Sequence, residues 1–441
     1  MGRLRVSSGR ALRGRVCVPG DKSISHRALL LGALAEGDSQ VRGFLPAGDC
    51  LATLACIRAL GVEVVAHDAS TLTVHGRGLR RLRAPAAPLN CARSGTTMRL
   101  LAGILAGQSS GVGRITPMEV TLTGEPQLLR RPMGRIVEPL RQMGAEITDD
   151  DGRAPLVVRG RRLRGCDFDL AVASAQVKSA LLLAGLYAGG LTIVRQPGPA
   201  RDHTERMLSA MGAAVDVDRL TVTLRPGPAP LAPLALAVPG DISSAAFLLA
   251  AAALVSGSEV TVEGVGVNPT RTGLLDVLRT MGALVTLENE RQQGGEPVAD
   301  VTVRASDLAG VEVGGDTVVR MIDEFPVLAV AATQARGVTV VRDAGELRVK
   351  ETDRIEAIVE GLRALGARID PLPDGFMIEG PTPLHGATVD SHGDHRLAMA
   401  LAVAGLVAEG EVVVEDVECI DDSFPGFVEL MEGITDGRLY R

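Results

Sequence analysis

Three lysines stand among the 46 basic residues of this 441-residue chain, and Lys22, Lys178 and Lys350 each lie in or beside a stretch crowded with other polar groups. A chain that writes nearly every cation as arginine and keeps three lysines marks those positions as needing a compact ammonium or a shiftable pKa. Lys22 belongs to Pro19-Gly20-Asp21-Lys22-Ser23-Ile24-Ser25-His26-Arg27, which runs directly into the apolar stretch Ala28 to Ala35. A polar, cationic cap therefore opens a helix, where unpaired N–H groups and the positive end of the macrodipole suit an anion. Lys350 lies in Leu347-Arg348-Val349-Lys350-Glu351-Thr352-Asp353-Arg354-Ile355, three cations and two acids at a strand-to-helix junction. Lys350, Glu351 and Arg354 share a face if the helix begins at the lysine. Asp394-His395-Arg396 opens another apolar helix, and Arg130-Arg131 precede Pro132, a rigid place to hold a guanidinium. Arginine meets carboxylate or phosphate through two parallel hydrogen bonds, so these clusters suit a small polyanion carrying both groups.

The elements that must position these residues repeat. A polar start, a small-residue apolar helix and a Gly recur at Asp21, Ser94, Ser174, Asp241, Asp323 and Asp394, 67 to 82 residues apart. A second helix in most of these units closes on Leu-Gly or Met-Gly before a β-rich pair, as at Leu60-Gly61, Met143-Gly144, Met211-Gly212, Met281-Gly282 and Leu365-Gly366. The unit reads as β-α-β-α-β-β, six times, in an α/β chain. Pro19-Gly20-Asp21 returns as Pro239-Gly240-Asp241, which predicts two domains of three units. The first would span 21–239, and the second 240–441 with residues 1–20, the chain crossing near Gly20 and Gly240. Residues 1 to 18 read as a short strand pair with Val6, Val16 and Val18 inward.

Composition removes several classes. Net charge −7 and nine aromatics argue against nucleic acid. Six cysteines without C-x-x-C or framework spacing argue against a zinc site or disulfide scaffold, and they read as reduced thiols. The start has no signal-peptide core, and the longest apolar run, Ala245 to Val255, is too short to cross a bilayer, so a cytoplasmic protein is expected. No ligand-spaced His, Cys or Asp cluster implies a metal, and no organic cofactor is implied.

Pro19 to Gly37, Ser94 to Arg99, Leu122 to Pro132, Ser174 to Ser179, Asp202 to Glu205, Lys350 to Arg354 and Asp394 to Arg396 resemble the enolpyruvyltransferases over nearly the whole chain. The branch they resemble acts on shikimate 3-phosphate, in its more divergent second class. The resemblance implies two inside-out α/β domains, and transfer of the enolpyruvyl group of phosphoenolpyruvate to the 5-hydroxyl of shikimate 3-phosphate with release of phosphate, in the route to chorismate and aromatic amino acids. It implies that Lys22, Ser23, Arg27, Ser174, Ala175 and Gln176 contact shikimate 3-phosphate, and that Gly95, Arg131, Arg354 and Arg396, with Lys22 and Gln176, contact phosphoenolpyruvate. Asp323 would be the base with Lys350 beside it, both also binding shikimate 3-phosphate, Glu351 the acid, and Lys22 and Lys350 catalytic with them. Anionic substrates would draw the domains together, and a monomer is expected.

Two departures stand out. Asp421-Asp422-Ser423 occupies the place where better-known members carry a Lys, and Ala200 replaces a Ser, leaving Arg201 to supply the phosphate contact. The sister enzyme that acts on a UDP-sugar, UDP-N-acetylglucosamine, uses a loop cysteine that Gly124 to Arg131 lacks. A non-catalytic anion-binding repeat protein gives no reason for Asp323 and Glu351 to sit among cations.

Overall fold

The computed structural model describes residues 2–8, 10–110, 116–435 and 439–440. They form two compact units: a first of Gly20–Val238 with Gln293–Glu296, and a second of Met1–Pro19, Pro239–Gln292 and Pro297–Arg441. Each has its own apolar core.

The helices that carry polar starts are α1 (Lys22–Leu34), α2 (Gly95–Ala106), α3 (Ala175–Gly185), α4 (His203–Ala210), α5 (Ile242–Leu254), α6 (Phe325–Gln334), α7 (Arg354–Ala364) and α8 (His395–Gly405). In α5 every residue from Ile242 to Ala253 is buried, and α8 is buried throughout. A helix that is apolar all round has no face for water and takes the centre of its unit. The strands instead alternate, as in Arg3–Ser7 and Arg153–Arg159, with one face against the helices and the other in solvent. Each unit is thus an inside-out α/β arrangement. The glycines that close the second helices take positive φ, 99° at Gly144 and 102° at Gly282, a left-handed conformation that turns the chain into the next strand.

Among the described residues the strands form six four-stranded sheets, three in each unit, with a parallel pair at one edge of each. Residues 1 to 18 do not pair with each other as expected. Arg3–Ser7 lies antiparallel between Glu411–Glu415 and Leu439–Tyr440, and Arg13–Cys17 runs parallel to Glu259–Gly266. Val6 and Val18 are buried, while Val16 is only half-buried. Ala235–Ala237 runs parallel to Glu36–Arg42, so the strand leading into α5 completes the sheet of the first repeat, and the strand leading into α1 completes that of the fourth. An edge left without its strand would expose a row of unpaired N–H and C=O groups, and this exchange covers it.

A second difference concerns the cationic junction. Helix α7 begins at Arg354, not at Lys350, because the Asp353 carboxylate caps it, accepting from the amides of Ile355 at 3.1 Å and Glu356 at 3.2 Å. Lys350 follows a short 3-10 turn, Gly345–Val349.

Candidate active site

In the first unit, Asp21 caps α1 by accepting from the Ile24 amide at 2.9 Å, which places Lys22 and Ser23 in the first turn. Lys22 Nζ lies 2.5 Å from Asp49 Oδ2. One turn on, Arg27 is 3% exposed. Its Nε donates to Thr204 Oγ1 at 2.7 Å, its Nη1 to the Ser23 carbonyl at 2.9 Å and its Nη2 to Ser179 Oγ at 2.8 Å. These acceptors are neutral, and no carboxylate comes within 4.0 Å of Arg27 among the described residues. Burial pushes its pKa down to about 10, still cationic at neutral pH. Glu205, Asp21 and Glu296 act on it only from beyond that distance, and a buried cation with three of five donors used and no direct ion pair is suited to meet an anion. Arg201, just before α4, reaches the same turn, with Nη1 3.4 Å from Ser23 Oγ.

The starts of α2 and α3 meet beside this turn. Ser94 and Ser174 cap them, accepting from the amides of Thr97 and Val177. Gln176 accepts from Arg99 Nη1 at 2.5 Å and donates to Thr96 Oγ1 at 2.9 Å. A Cβ on Gly95 would stand 2.8 Å from Arg99 Nη1 and 3.2 Å from Arg131 Nη1. Both guanidiniums therefore lie over a residue that must lack a side chain to leave them there.

The second unit gathers six charges. Asp394 caps α8 by accepting from the Arg396 amide at 2.9 Å, and the same carboxylate takes Arg354 Nε at 2.7 Å and Nη2 at 3.1 Å. Arg354 Nη2 also donates to Glu351 at 2.8 Å, while Nη1 lies 3.5 Å from Asp323 Oδ1. Asp323 further meets Lys350 Nζ at 3.8 Å and Arg396 Nη2 at 3.7 Å. Burial alone would lower the Arg354 pKa, but Asp394, Glu351 and Asp323 outweigh it and raise it. The guanidinium is a fixed cation, 1% exposed.

The fold thus brings Lys22, Ser23, Arg27 and Arg201 to one turn, Gly95, Arg131 and Gln176 to a second place with Ser174 and Ala175 at the same helix start, and Asp323, Lys350, Glu351, Arg354 and Arg396 to a third. Asp394, Arg99 and Thr204 escaped the sequence reading as members of these places. Asp394 could have been found from a cap that precedes two charged residues, since its carboxylate has a second oxygen to give. Lys178 goes elsewhere: its Nζ is buried against Glu205 Oε1 at 2.5 Å and the Ala200 carbonyl at 3.2 Å, holding α3 to α4. The fourth repeat's helix start is likewise filled from within, as Arg271 Nη2 donates to Asp241 Oδ1 and Ser243 Oγ, both at 2.9 Å.

One set of groups has the composition of a metal site that sequence spacing did not disclose. Ligand atoms of Asp202, His203 and Glu296 lie within 4.8 Å of one another. Arg206 Nε already donates to Asp202 at 2.8 Å, and His203 Nδ1 pairs with Glu296 at 2.8 Å. A guanidinium on one acid and a hydrogen bond between the other two fit a polar clamp on α4 better than a cation.

The sequence model of the family described as EPSP synthase (3-phosphoshikimate 1-carboxyvinyltransferase) matches residues 6–431. The 3-phosphoshikimate 1-carboxyvinyltransferase of Citrifermentans bemidjiense is 52% identical over 431 residues, 97% of this chain and 98% of that protein. That of Herpetosiphon aurantiacus is 53% identical over 426 residues, 96% of this chain and 97% of its own length. The solved EPSP synthase from Acinetobacter baumannii superposes with a TM-score of 0.87 at 43% identity, covering 100% of this chain and 99% of that one. The enolpyruvyl transferase NikO from Streptomyces tendae, at 20% identity and a TM-score of 0.80, shares the fold over 99% of this chain and 98% of its own. Half the residues and the whole length are shared with such proteins, and the charged turns described above stand within the matched span: the chain belongs to the EPSP synthase family, the 3-phosphoshikimate 1-carboxyvinyltransferases.

Proposed function

We propose that the chain transfers the enolpyruvyl group of phosphoenolpyruvate to the 5-hydroxyl of shikimate 3-phosphate and releases phosphate, acting as a cytoplasmic monomer on these two small anions. No helix among the described residues is long and apolar enough to cross a membrane. Lys22, Ser23, Arg27, Ser174, Ala175, Gln176 and Arg201 hold shikimate 3-phosphate in this reading. Gly95, Arg131, Arg354 and Arg396, with Lys22 and Gln176, hold phosphoenolpyruvate. The observation that carries it is that one guanidinium, Arg354, reaches two carboxylates, Asp323 and Glu351, which lets a base and an acid work on either side of one anion.

The chemistry follows from those types. Glu351 gives a proton to the methylene carbon of phosphoenolpyruvate, which builds positive character at C2. Asp323, beside Lys350, takes the proton of the 5-hydroxyl as its oxygen attacks C2, giving a tetrahedral phospholactoyl adduct. A methyl proton then returns to Glu351 while the C2–O bond to phosphate breaks, the departing phosphate takes up the proton held by Asp323, and the enol ether and phosphate leave. Glu351 accepts from Arg354 Nη2 at 2.8 Å. An anion laid across Arg354 and Arg396 competes for that guanidinium and frees the carboxyl to take up a proton. Glu351→Gln should lower kcat by about 10²- to 10⁴-fold and remove one limb of the pH–rate profile. A variant that kept both wild-type limbs would take Glu351 out of this role.

A further inference from the structure

His26 lies in α1 between Ser25 and Arg27, fully buried, and no step above uses it. Its neighbours fix the direction of a hydrogen-bond relay. Ser94 Oγ accepts from the Thr97 amide at 3.2 Å and from the Thr97 hydroxyl at 2.7 Å. With the Thr97 proton committed there, the Thr97 oxygen accepts from Thr53 Oγ1, 2.6 Å away. A hydroxyl has one proton, so Thr53 in turn accepts from His26 Nδ1 at 2.7 Å. All four side chains are closed to solvent. The ring is thereby held as the Nδ1–H tautomer, and Nε2 has no hydrogen-bond partner among the described residues. Burial keeps it neutral, lowering the pKa to about 3, with Asp49 pulling it up and Lys22 and Arg27 pushing it down.

We propose that the relay His26, Thr53, Thr97, Ser94 positions the phosphoenolpyruvate subsite by locking the first turn of α2 against α1. Ser94 is the residue before Gly95, and Arg99 lies one turn beyond it, so the relay fixes the backbone over which Arg99 and Arg131 are laid. A small displacement there moves two guanidiniums, and misplacement of charge-bearing contacts is costly to binding and turnover. The proposal rests on the reading of Gly95 and Arg131 as phosphoenolpyruvate contacts. His26, Thr53, Thr97 and Ser94 are positioning residues in it, none touching substrate.

Thr53→Val keeps the volume and removes the middle of the relay, and Thr53→Ser keeps the hydroxyl. Thr53→Val is expected to raise KM for phosphoenolpyruvate about tenfold while KM for shikimate 3-phosphate stays within about twofold, and Thr53→Ser to return both to wild type. An active wild type whose two KM values rise equally in Thr53→Val, or do not move, overturns the relay alone. A wild type that releases no phosphate overturns the subsite reading and the proposal with it. Nitrogen-15 NMR of the full wild-type chain, with His26 identified by its absence in His26→Gln, supplies a readout independent of turnover and of how Thr53→Val folds. A protonated Nδ1 and a bare Nε2 support the relay, and a protonated Nε2 overturns it.

Discussion

Arg27 spends its hydrogen bonds on Thr204, Ser179 and the Ser23 carbonyl, and none on a carboxylate. Burying a cation this way costs several kcal/mol that an ion pair would partly offset, which supports the proposed reading that its partner is an anionic ligand. Arg27→Met should weaken shikimate 3-phosphate binding by about 2–5 kcal/mol. Stability should change little, because removing a buried charge is set against the loss of its three hydrogen bonds to Thr204, Ser179 and the Ser23 carbonyl. Titration calorimetry with shikimate 3-phosphate beside urea unfolding checks both, and lost stability with intact affinity would contradict the assignment. Residue types made Lys22, Arg27 and Lys350 legible, since a cation at a helix start has few structural reasons to be there. Asp394, Arg99 and Thr204 were hidden for the opposite reason. A capping Asp, an arginine within a helix and a threonine after a histidine each have an ordinary structural role, and only the fold shows the second one.

At the scale of elements, the polar starts meet because the helix bodies pack closely. A Cβ on Gly103 of α2 would stand 2.3 Å from the Ala180 carbonyl oxygen of α3, so the two backbones touch where a side chain cannot fit. That contact sets Gln176 on Arg99 at the helix starts. Gly103→Ala should destabilise the protein by about 1–3 kcal/mol through overpacking. The urea midpoint should fall with an unchanged m value; an unchanged midpoint would mean that the helices separate freely. The helices and their six-fold recurrence were legible because period and punctuation are local. Strand partners were not, since register depends on distant chain: nothing in Arg13–Cys17 names Glu259–Gly266 as its neighbour. The sequence leaves the start of α7 conditional, because the charges around Lys350 share a face only if the helix begins there, and the cap at Asp353 sets the boundary at Arg354 instead.

For the whole molecule, each unit carries its own core, and the N-terminal strands belong to the second. Leu4, fully buried in Arg3–Ser7 opposite Val414, tests this. Leu4→Ala should cost about 2–5 kcal/mol. Hydrogen exchange should show the loss at Glu411–Glu415 while Glu36–Arg42 keeps its protection; equal loss in both would contradict separate cores. The proposed roles draw on both units, with the buried Arg27 in one and the Asp323–Glu351 pair in the other. The most direct measurement of the central claim is phosphate release from phosphoenolpyruvate by the full chain, with shikimate 3-phosphate in one vessel and UDP-N-acetylglucosamine in another. Release only with shikimate 3-phosphate is predicted. Release only with the UDP-sugar, or with neither, would contradict it.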